Sequence, residues 1–236
     1  MIKDLLQNFI KDYKITLTEN QYEQYQKYFE LLVEWNEKMN LTAITDESGV
    51  ALKHFADSLS LLNFLDIPQN SSLADVGTGA GFPGVVLKIA RPDIKLTLID
   101  SLNKRLVFLN EVCTQLGIDA ELIHSRAEDG ARDEKLRESF DFVASRAVAR
   151  MNVLSEYCLP YVKVGGAFCA MKGAMANDEF KEAMNAINTL GGKLEEKYFF
   201  ELPENGGERA IAVVRKMKNT PSKYPRQSGK IKAKAL

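Results

Sequence analysis

Positions 72–100 bring together groups suited to holding a nucleoside. Gly77, Gly79 and Gly81 follow one another at spacings of two, Asp75 precedes them, and Asp100 ends the apolar run of Leu96, Leu98 and Ile99. Glycine takes positive φ freely and has no Cβ to collide with a ligand, so such a turn lets backbone amides face a bound molecule. Asp100 follows the glycines at the separation, roughly 20 residues, where nucleotide-binding folds carry the acidic group that accepts hydrogen bonds from ribose hydroxyls. Its charge also disfavours a phosphate there. A dinucleotide fingerprint has its third glycine three positions after the second, so the spacing speaks against a nicotinamide dehydrogenase. Failure to bind NAD, beside binding of a different nucleoside cofactor, would dismiss that rival.

These residues need a strand ending at the turn and a second strand carrying Asp100. The apolar pattern predicts strands at 72–76, 95–100, 120–124, 140–145 and 166–171, with helices at 84–90, 104–116, 151–161 and 178–190. Strands alternating with helices imply a parallel, doubly wound sheet with right-handed crossovers. Two further strand-like runs, 197–202 and 209–215, flank Pro203-Glu-Asn-Gly-Gly207 and predict a terminal antiparallel hairpin. Positions 1–67 read as a helical extension. Thr18 and Gln21 have capping-box spacing before a helix with Tyr22, Tyr25, Phe29, Leu32 and Asn36 on one face. A second helix begins near Asp46 or Ser48, with an apolar stripe of Leu52, Phe55, Leu59 and Leu62; 36–45 is a loop. The expected organisation is an extension at 1–67, a cofactor-binding domain at 68–218 and a basic tail at 219–236.

With 236 residues and 45% apolar content the chain can bury a full core. No window approaches the roughly 20 apolar residues of a membrane span, and charges interrupt any signal-like core at the start, so the protein reads as cytoplasmic. Cys113, Cys158 and Cys169 lack disulfide or metal-ligand spacing and read as small core residues; no metal is expected. The net charge of −1 conceals an asymmetry. The segment 215–236 carries eight basic residues and no acidic one, which leaves 23 of the 31 basic residues and all 32 acidic ones to positions 1–214. Such a tail reads as a phosphate-binding arm, or alternatively as a solvated terminus.

The glycine pattern after the first strand resembles motif I of class I S-adenosylmethionine-dependent methyltransferases, whose Rossmann-like, mostly parallel sheet also ends in an antiparallel hairpin. Ligands in such folds sit beyond the carboxyl ends of the strands. The polar loops there are Ser125-Arg126-Ala127-Glu128, Ser145-Arg146-Ala147 and Lys172-Gly173. The chain has no Asn/Asp-Pro-Pro-aromatic loop of the kind that handles exocyclic amines, and no Pro-Cys dipeptide for attack through pyrimidine C5. A ring nitrogen such as guanine N7 offers an in-plane lone pair and loses no proton on methylation, so in-line positioning without a general base is compatible with it.

Asn40-Leu-Thr-Ala-Ile44, Lys53-His-Phe-Ala-Asp-Ser58, Asp75-Val-Gly-Thr-Gly-Ala-Gly-Phe-Pro-Gly84, Asp100-Ser101 with Lys104-Arg105, Arg126-Ala-Glu128, Ser145-Arg-Ala147 and Tyr224-Pro-Arg226 with Gly229 together resemble the RsmG (GidB) family over nearly the whole chain. The resemblance implies a 16S ribosomal RNA methyltransferase that uses S-adenosylmethionine and modifies guanine N7 in RNA or the small subunit; a monomer is expected. It implies cofactor contacts from Gly77, Phe82, Ala127, Glu128 and Arg146, to which the residue-level reading adds Asp75, Gly79, Gly81, Asp100 and Ser101. Arg146 and Lys172 are expected to position the reactants. For RNA the candidates are His54, Asp57 and Ser58 on an exposed helix face, Arg126 and Lys172 against phosphate, and Tyr224, Arg226, Lys230 and Lys232 of the tail. Rival readings are a small-molecule methyltransferase, which would turn over without RNA, and a non-catalytic RNA-binding or assembly factor, which would bind RNA without methyl transfer.

Overall fold

A computed structural model describes residues 1–146, 149–174 and 176–236. Four helices come first: α1 (Ile2–Phe9), α2 (Glu19–Asn36), α3 (Glu47–Val50) and α4 (Asp57–Phe64). Thr18 caps α2 as its spacing predicts, the Gln21 side chain accepting from the Thr18 amide at 2.8 Å while the Gln21 amide donates to Thr18 Oγ1 at 3.4 Å. The Asp46 carboxylate accepts from the Gly49 amide at 2.7 Å and starts α3. Between α3 and α4 the chain stays helical but widens into a π turn at Ala51–Ala56. Helix α1 is an addition to the helices that the sequence pattern names.

The sheet has seven strands: β1 (Ser72–Val76), β2 (Lys95–Asp100), β3 (Ala120–His124), β4 (Phe140–Arg146), β5 (Val162–Gly173), β6 (Gly192–Glu201) and β7 (Glu208–Lys216). Their order is β3-β2-β1-β4-β5-β7-β6, parallel through β5 and antiparallel at β5/β7 and β7/β6. The chain therefore builds outward in one direction from β1 and in the other from β4, and a crevice opens between the strand tips where the order reverses. Helices α5 (Gly84–Ala90), α6 (Asn103–Leu116), α7 (Ala127–Gly130), α8 (Met151–Cys158), α9 (Ala176–Glu182) and α10 (Met184–Thr189) cover the faces. A final helix, α11 (Ser228–Ala233), lies in the tail. The single helix predicted at 178–190 is interrupted at Ala183, and β6 starts at Gly192 rather than at the expected 197.

The N-terminal helices share one apolar core with the sheet: Leu6, Tyr25, Leu32 and Phe55 are buried in the same cluster as Leu73, Val85 and Leu98. Polar staples reinforce the contact. The Gln21 side-chain Nε2 donates to the Ile89 carbonyl at 2.7 Å and the Tyr25 hydroxyl to the Val86 carbonyl at 2.8 Å, while the Tyr28 hydroxyl donates to the Ala80 carbonyl within the glycine turn. Each bond satisfies a buried carbonyl near a helix end or turn. The extension thus braces the turn from behind. Among the described residues, no helix is long and apolar enough to cross a membrane.

Candidate active site

The glycine turn is organised by Asp75, which is wholly buried. Its Oδ2 accepts from Thr78 Oγ1 at 2.7 Å and from the Gly84 amide at 2.8 Å, clamping both ends of the loop. Burial raises the Asp75 carboxyl to about 6, with the two hydrogen bonds opposing the shift. Gly81 has φ +98°, and a Cβ there would stand 2.5 Å from the Tyr28 hydroxyl, so the brace of the turn forbids any side chain. Gly79 is the reverse case: φ is +61°, and an added Cβ would meet nothing within 4 Å. Gly79 faces open space, whereas Asp75 and Gly81 lie behind the turn and shape it. They do not reach the cleft, contrary to the expectation that they touch cofactor directly.

That open space is a cleft of about 560 Å³ across the tips of β3, β2, β1 and β4. Of the predicted cofactor residues, Gly77, Gly79, Phe82, Asp100, Ser101, Ala127, Glu128 and Arg146 all line it, and so does Arg126. Asp100 Oδ2 accepts from the Gly79 amide at 2.9 Å and from Arg105 at 3.3 Å, and Oδ1 accepts from the Leu102 amide at 2.9 Å. The carboxylate is thereby held rigidly at the tip of β2. The sequence reading does not assign Thr42, Arg105, Tyr157 or Ser228 to this site, although all four line the cleft.

A second cleft, of about 510 Å³, lies over β4, β5 and β7 and contains Lys53, Asp57, Lys172, Glu179 and Arg209. His54 and Arg146 line both clefts and form the wall between them. The His54 ring stacks on Phe82 with centroids 4.5 Å apart and planes 19° apart, and the Arg146 guanidinium sits 5.0 Å from the same Phe82 centroid. Arg146 also donates to Asp57 Oδ2 at 2.9 Å and to the Lys53 carbonyl at 3.0 Å. Asp57 Oδ1 pairs with Arg209 at 3.2 Å, so one carboxylate ties β4 and β7 to the N-terminal helices. Burial, seconded by the Arg146 charge, holds the His54 imidazole down at about 3 and therefore neutral.

Several expectations about RNA contacts are corrected here. The segment 51–61 is packed between the other N-terminal helices and the sheet, so Asp57 and Ser58 are buried and offer no exposed face. The Ser58 hydroxyl simply donates to the His54 carbonyl at 2.5 Å. Lys172 is not free for phosphate either: its ammonium donates to the Ala149 carbonyl at 2.6 Å and pairs with Glu179 at 2.7 Å. The tail is not a loose arm. Tyr224 and Ile231 are buried, and Arg226 is bound through its guanidinium and its amide to the wholly buried Glu156. Lys230 and Lys232 remain exposed, and Lys232 reaches the rim of the first cleft. Ala147 and Val148, which complete the predicted loop after Arg146, lie outside the described residues. Glu179 and Arg209 escape the sequence reading because neither sits in a local motif; only their pairing across the fold marks them.

The sequence profile of the family described as rRNA small subunit methyltransferase G, GidB, matches residues 21–205. The protein "Ribosomal RNA small subunit methyltransferase G" of Staphylococcus aureus strain Newman is 50% identical over 230 residues, covering 97% of this chain and 96% of its own. Its namesake from Exiguobacterium sibiricum is 50% identical over 216 residues, 91% of each chain. Among solved structures, a putative methyltransferase from Bacillus halodurans superposes with a TM-score of 0.54 at 16% identity, over 69% of this chain and 100% of its own. Geranyl diphosphate C-methyltransferase from Streptomyces coelicolor, solved with Mg2+, geranyl diphosphate and S-adenosyl-L-homocysteine, gives 0.53 at 12% identity, over 69% and 79%. These two show the class I methyltransferase fold.

Proposed function

Because this chain belongs to the rRNA small subunit methyltransferase G (GidB) family, we propose that it transfers a methyl group from S-adenosylmethionine to N7 of a guanine in 16S ribosomal RNA. The observation that carries the reading is the pair of clefts meeting at one wall of His54 and Arg146. One cleft suits a nucleoside cofactor and the other a base.

The first cleft fits the cofactor on its own chemistry. Gly79 leaves room where any Cβ would intrude, the Gly77–Gly79 backbone borders it, and a fixed carboxylate stands at the tip of β2 for ribose hydroxyls. S-adenosylmethionine, when bound, supplies an electrophilic methyl on a sulfonium. The residues' own work is positioning. Phe82 provides an apolar floor beneath the wall, and the paired Arg146 and neutral His54 shape the aperture between the clefts. Among the described residues lining the second cleft, both carboxylates are ion-paired, Asp57 with two arginines and Glu179 with Lys172. A nucleophile that must lose a proton would want an unengaged base; N7 needs only its lone pair and correct alignment. Lys172 and Arg209, fixed by Glu179 with the Ala149 carbonyl and by Asp57, each keep a further N–H suited to guanine O6, and exposed Arg126 and Lys230 are suited to phosphate. One chain supplies the lining of both clefts, which supports a monomeric enzyme whose partner is the RNA or the subunit, and a ribosomal RNA substrate supports a cytoplasmic location.

The test is transfer of labelled methyl from S-adenosylmethionine to small subunits and to bare 16S RNA from cells lacking the enzyme, with the product nucleoside identified by mass spectrometry. A single 7-methylguanosine is expected. Gly79→Asp, which puts a carboxylate into the open cleft at a φ that aspartate tolerates, is expected to weaken S-adenosylhomocysteine binding by at least about 100-fold, near 2.7 kcal/mol. No label in either RNA, despite cofactor binding, would defeat the ribosomal assignment and favour the small-molecule rival.

A further inference from the structure

The C-terminal segment, beyond the stretch matched by the family profile, is held down by an unusual density of polar ties. Glu156 on α8 is wholly buried and accepts from the Arg226 amide at 2.7 Å and from its guanidinium at 2.7 and 3.0 Å. Arg137 donates to the Tyr224 carbonyl at 2.9 Å and to the Thr220 carbonyl at 2.8 Å, and Arg132 donates to the Pro225 carbonyl. Glu138 accepts from the Thr220 amide at 2.6 Å, and the buried Lys216 ammonium reaches both Glu138 and Thr220. The apolar side is closed by Ile231, which has no exposed surface, and by Tyr224. A solvated terminus needs none of this.

What the docking achieves is visible at the first cleft. Helix α11 packs beside α8, and Ser228 and Lys232 of α11 form part of the cleft wall together with Tyr157 of α8. Ser228 stands beside the Tyr157 phenol and opposes the rise that burial imposes on it. The position along the cleft follows from sheet order. The aperture to the second cleft lies at the β4 end, at Arg146, and the ribose-holding Asp100 lies on β2, so the nucleobase end must extend toward β3 and the Ser125–Glu128 loop. The remaining wall at that end is Tyr157, Ser228 and Lys232.

We propose that the C-terminal strap is a working wall of the cofactor site: docked through Arg226 on Glu156, it places Ser228 and Lys232 over the adenine end of the bound nucleoside. The inference rests on the cofactor reading above. Cofactor binding and strap docking are then linked, and by reciprocity each strengthens the other by the same factor. Of the strap's exposed lysines, Lys232 serves the cofactor cleft, while Lys230, which does not line it, is left for RNA on the outer side.

The linkage is read without turnover. S-adenosylhomocysteine should protect the full-length protein against tryptic cleavage at Lys223, Lys230 and Lys232, each exposed in the chain as it stands. The Ser228→Ala/Lys232→Ala double variant changes two surface positions and should fold normally, with S-adenosylhomocysteine bound several-fold more weakly by calorimetry. Arg226→Ala, which frees the strap, should weaken it about tenfold and abolish the protection. Wild-type affinity in the folded double variant, or cleavage indifferent to the ligand, would overturn the strap's role while leaving the methyltransferase reading intact. A wild-type protein that binds no S-adenosylhomocysteine would instead overturn the cofactor reading and this inference with it.

Discussion

The two clefts that share the His54–Arg146 wall are made by different means. The centre of the first is a product of backbone: a glycine turn, the tips of β1 and β2, and amides fixed by Asp75 and Asp100, all within one unbroken stretch from β1 to β2, with the Ser125–Glu128 loop, Arg146 and α11 closing its sides. The second is assembled from charged pairs that join distant parts of the chain, Asp57 with Arg146 and Arg209, and Lys172 with Glu179. Binding a nucleoside needs close backbone clearance, which short-range sequence can encode. Admitting a base from a large RNA needs side-chain donors around an opening, and paired charges hold them in place while limiting the cost of burying them.

The largest break between the clefts is expected from Asp57→Ala, which leaves two guanidinium groups without their buried partner. The loss is about 3 kcal/mol or more, seen as a fall of about 10 °C in the thermal midpoint. Methyl transfer should fail, while S-adenosylhomocysteine still binds within about fivefold of wild type below the new midpoint. Loss of that binding too would mean the clefts are not separable.

The wall itself has a pH signature. His54 is neutral in the fold with its pKa near 3, against an ordinary value of 6.5, so the unfolded chain binds more protons between those limits. Its contribution is intact above pH 6.5 and declines as the pH falls toward 3, amounting to about 2 kcal/mol lost between pH 7 and 5. The buried Asp75 acts oppositely: its raised pKa makes its contribution full below 3.8 and lost as the pH rises through about 6. Denaturant unfolding of His54→Gln at pH 7 and pH 5 should therefore show a shallower acid loss than wild type. An unchanged slope would mean that the ring is protonated in the native wall.

The smallest effect should come from Glu179→Gln, which keeps the shape but loosens Lys172. The acceptor KM should rise about tenfold, near 1.4 kcal/mol, with S-adenosylhomocysteine affinity unchanged. Weakened cofactor binding would place Glu179 in the wrong cleft.

The clarity of the sequence follows the same division. The strands 72–76 and 95–100, the helix 84–90 and the Thr18 cap are legible because each is set by periodicity, glycine spacing or a capping side chain close by in the chain. Gly77, Gly79, Phe82, Asp100 and Ser101 line the first cleft as expected for that reason. Asp57, Ser58, Lys172 and Arg226 mislead because a polar side chain off an apolar stripe looks solvent-facing in one dimension. In the fold each meets a partner that no local motif names: Ser58 the His54 carbonyl, Asp57 Arg146 and Arg209, Lys172 Glu179, and Arg226 Glu156. The π turn at Ala51–Ala56 also shifts the phase of that helix, which an α-helical wheel cannot anticipate.

The sequence by itself determined the doubly wound sheet, the glycine turn and the carboxylate at the tip of β2, since these depend on local backbone preference and alternation. Tertiary structure alone decided that His54 and Arg146 form one wall between two clefts, that a single buried carboxylate bridges two arginines, and that the basic tail is a docked strap. The physical reason is that burial and charge pairing are properties of the space around a side chain, and that space is created only when segments far apart in the chain pack together.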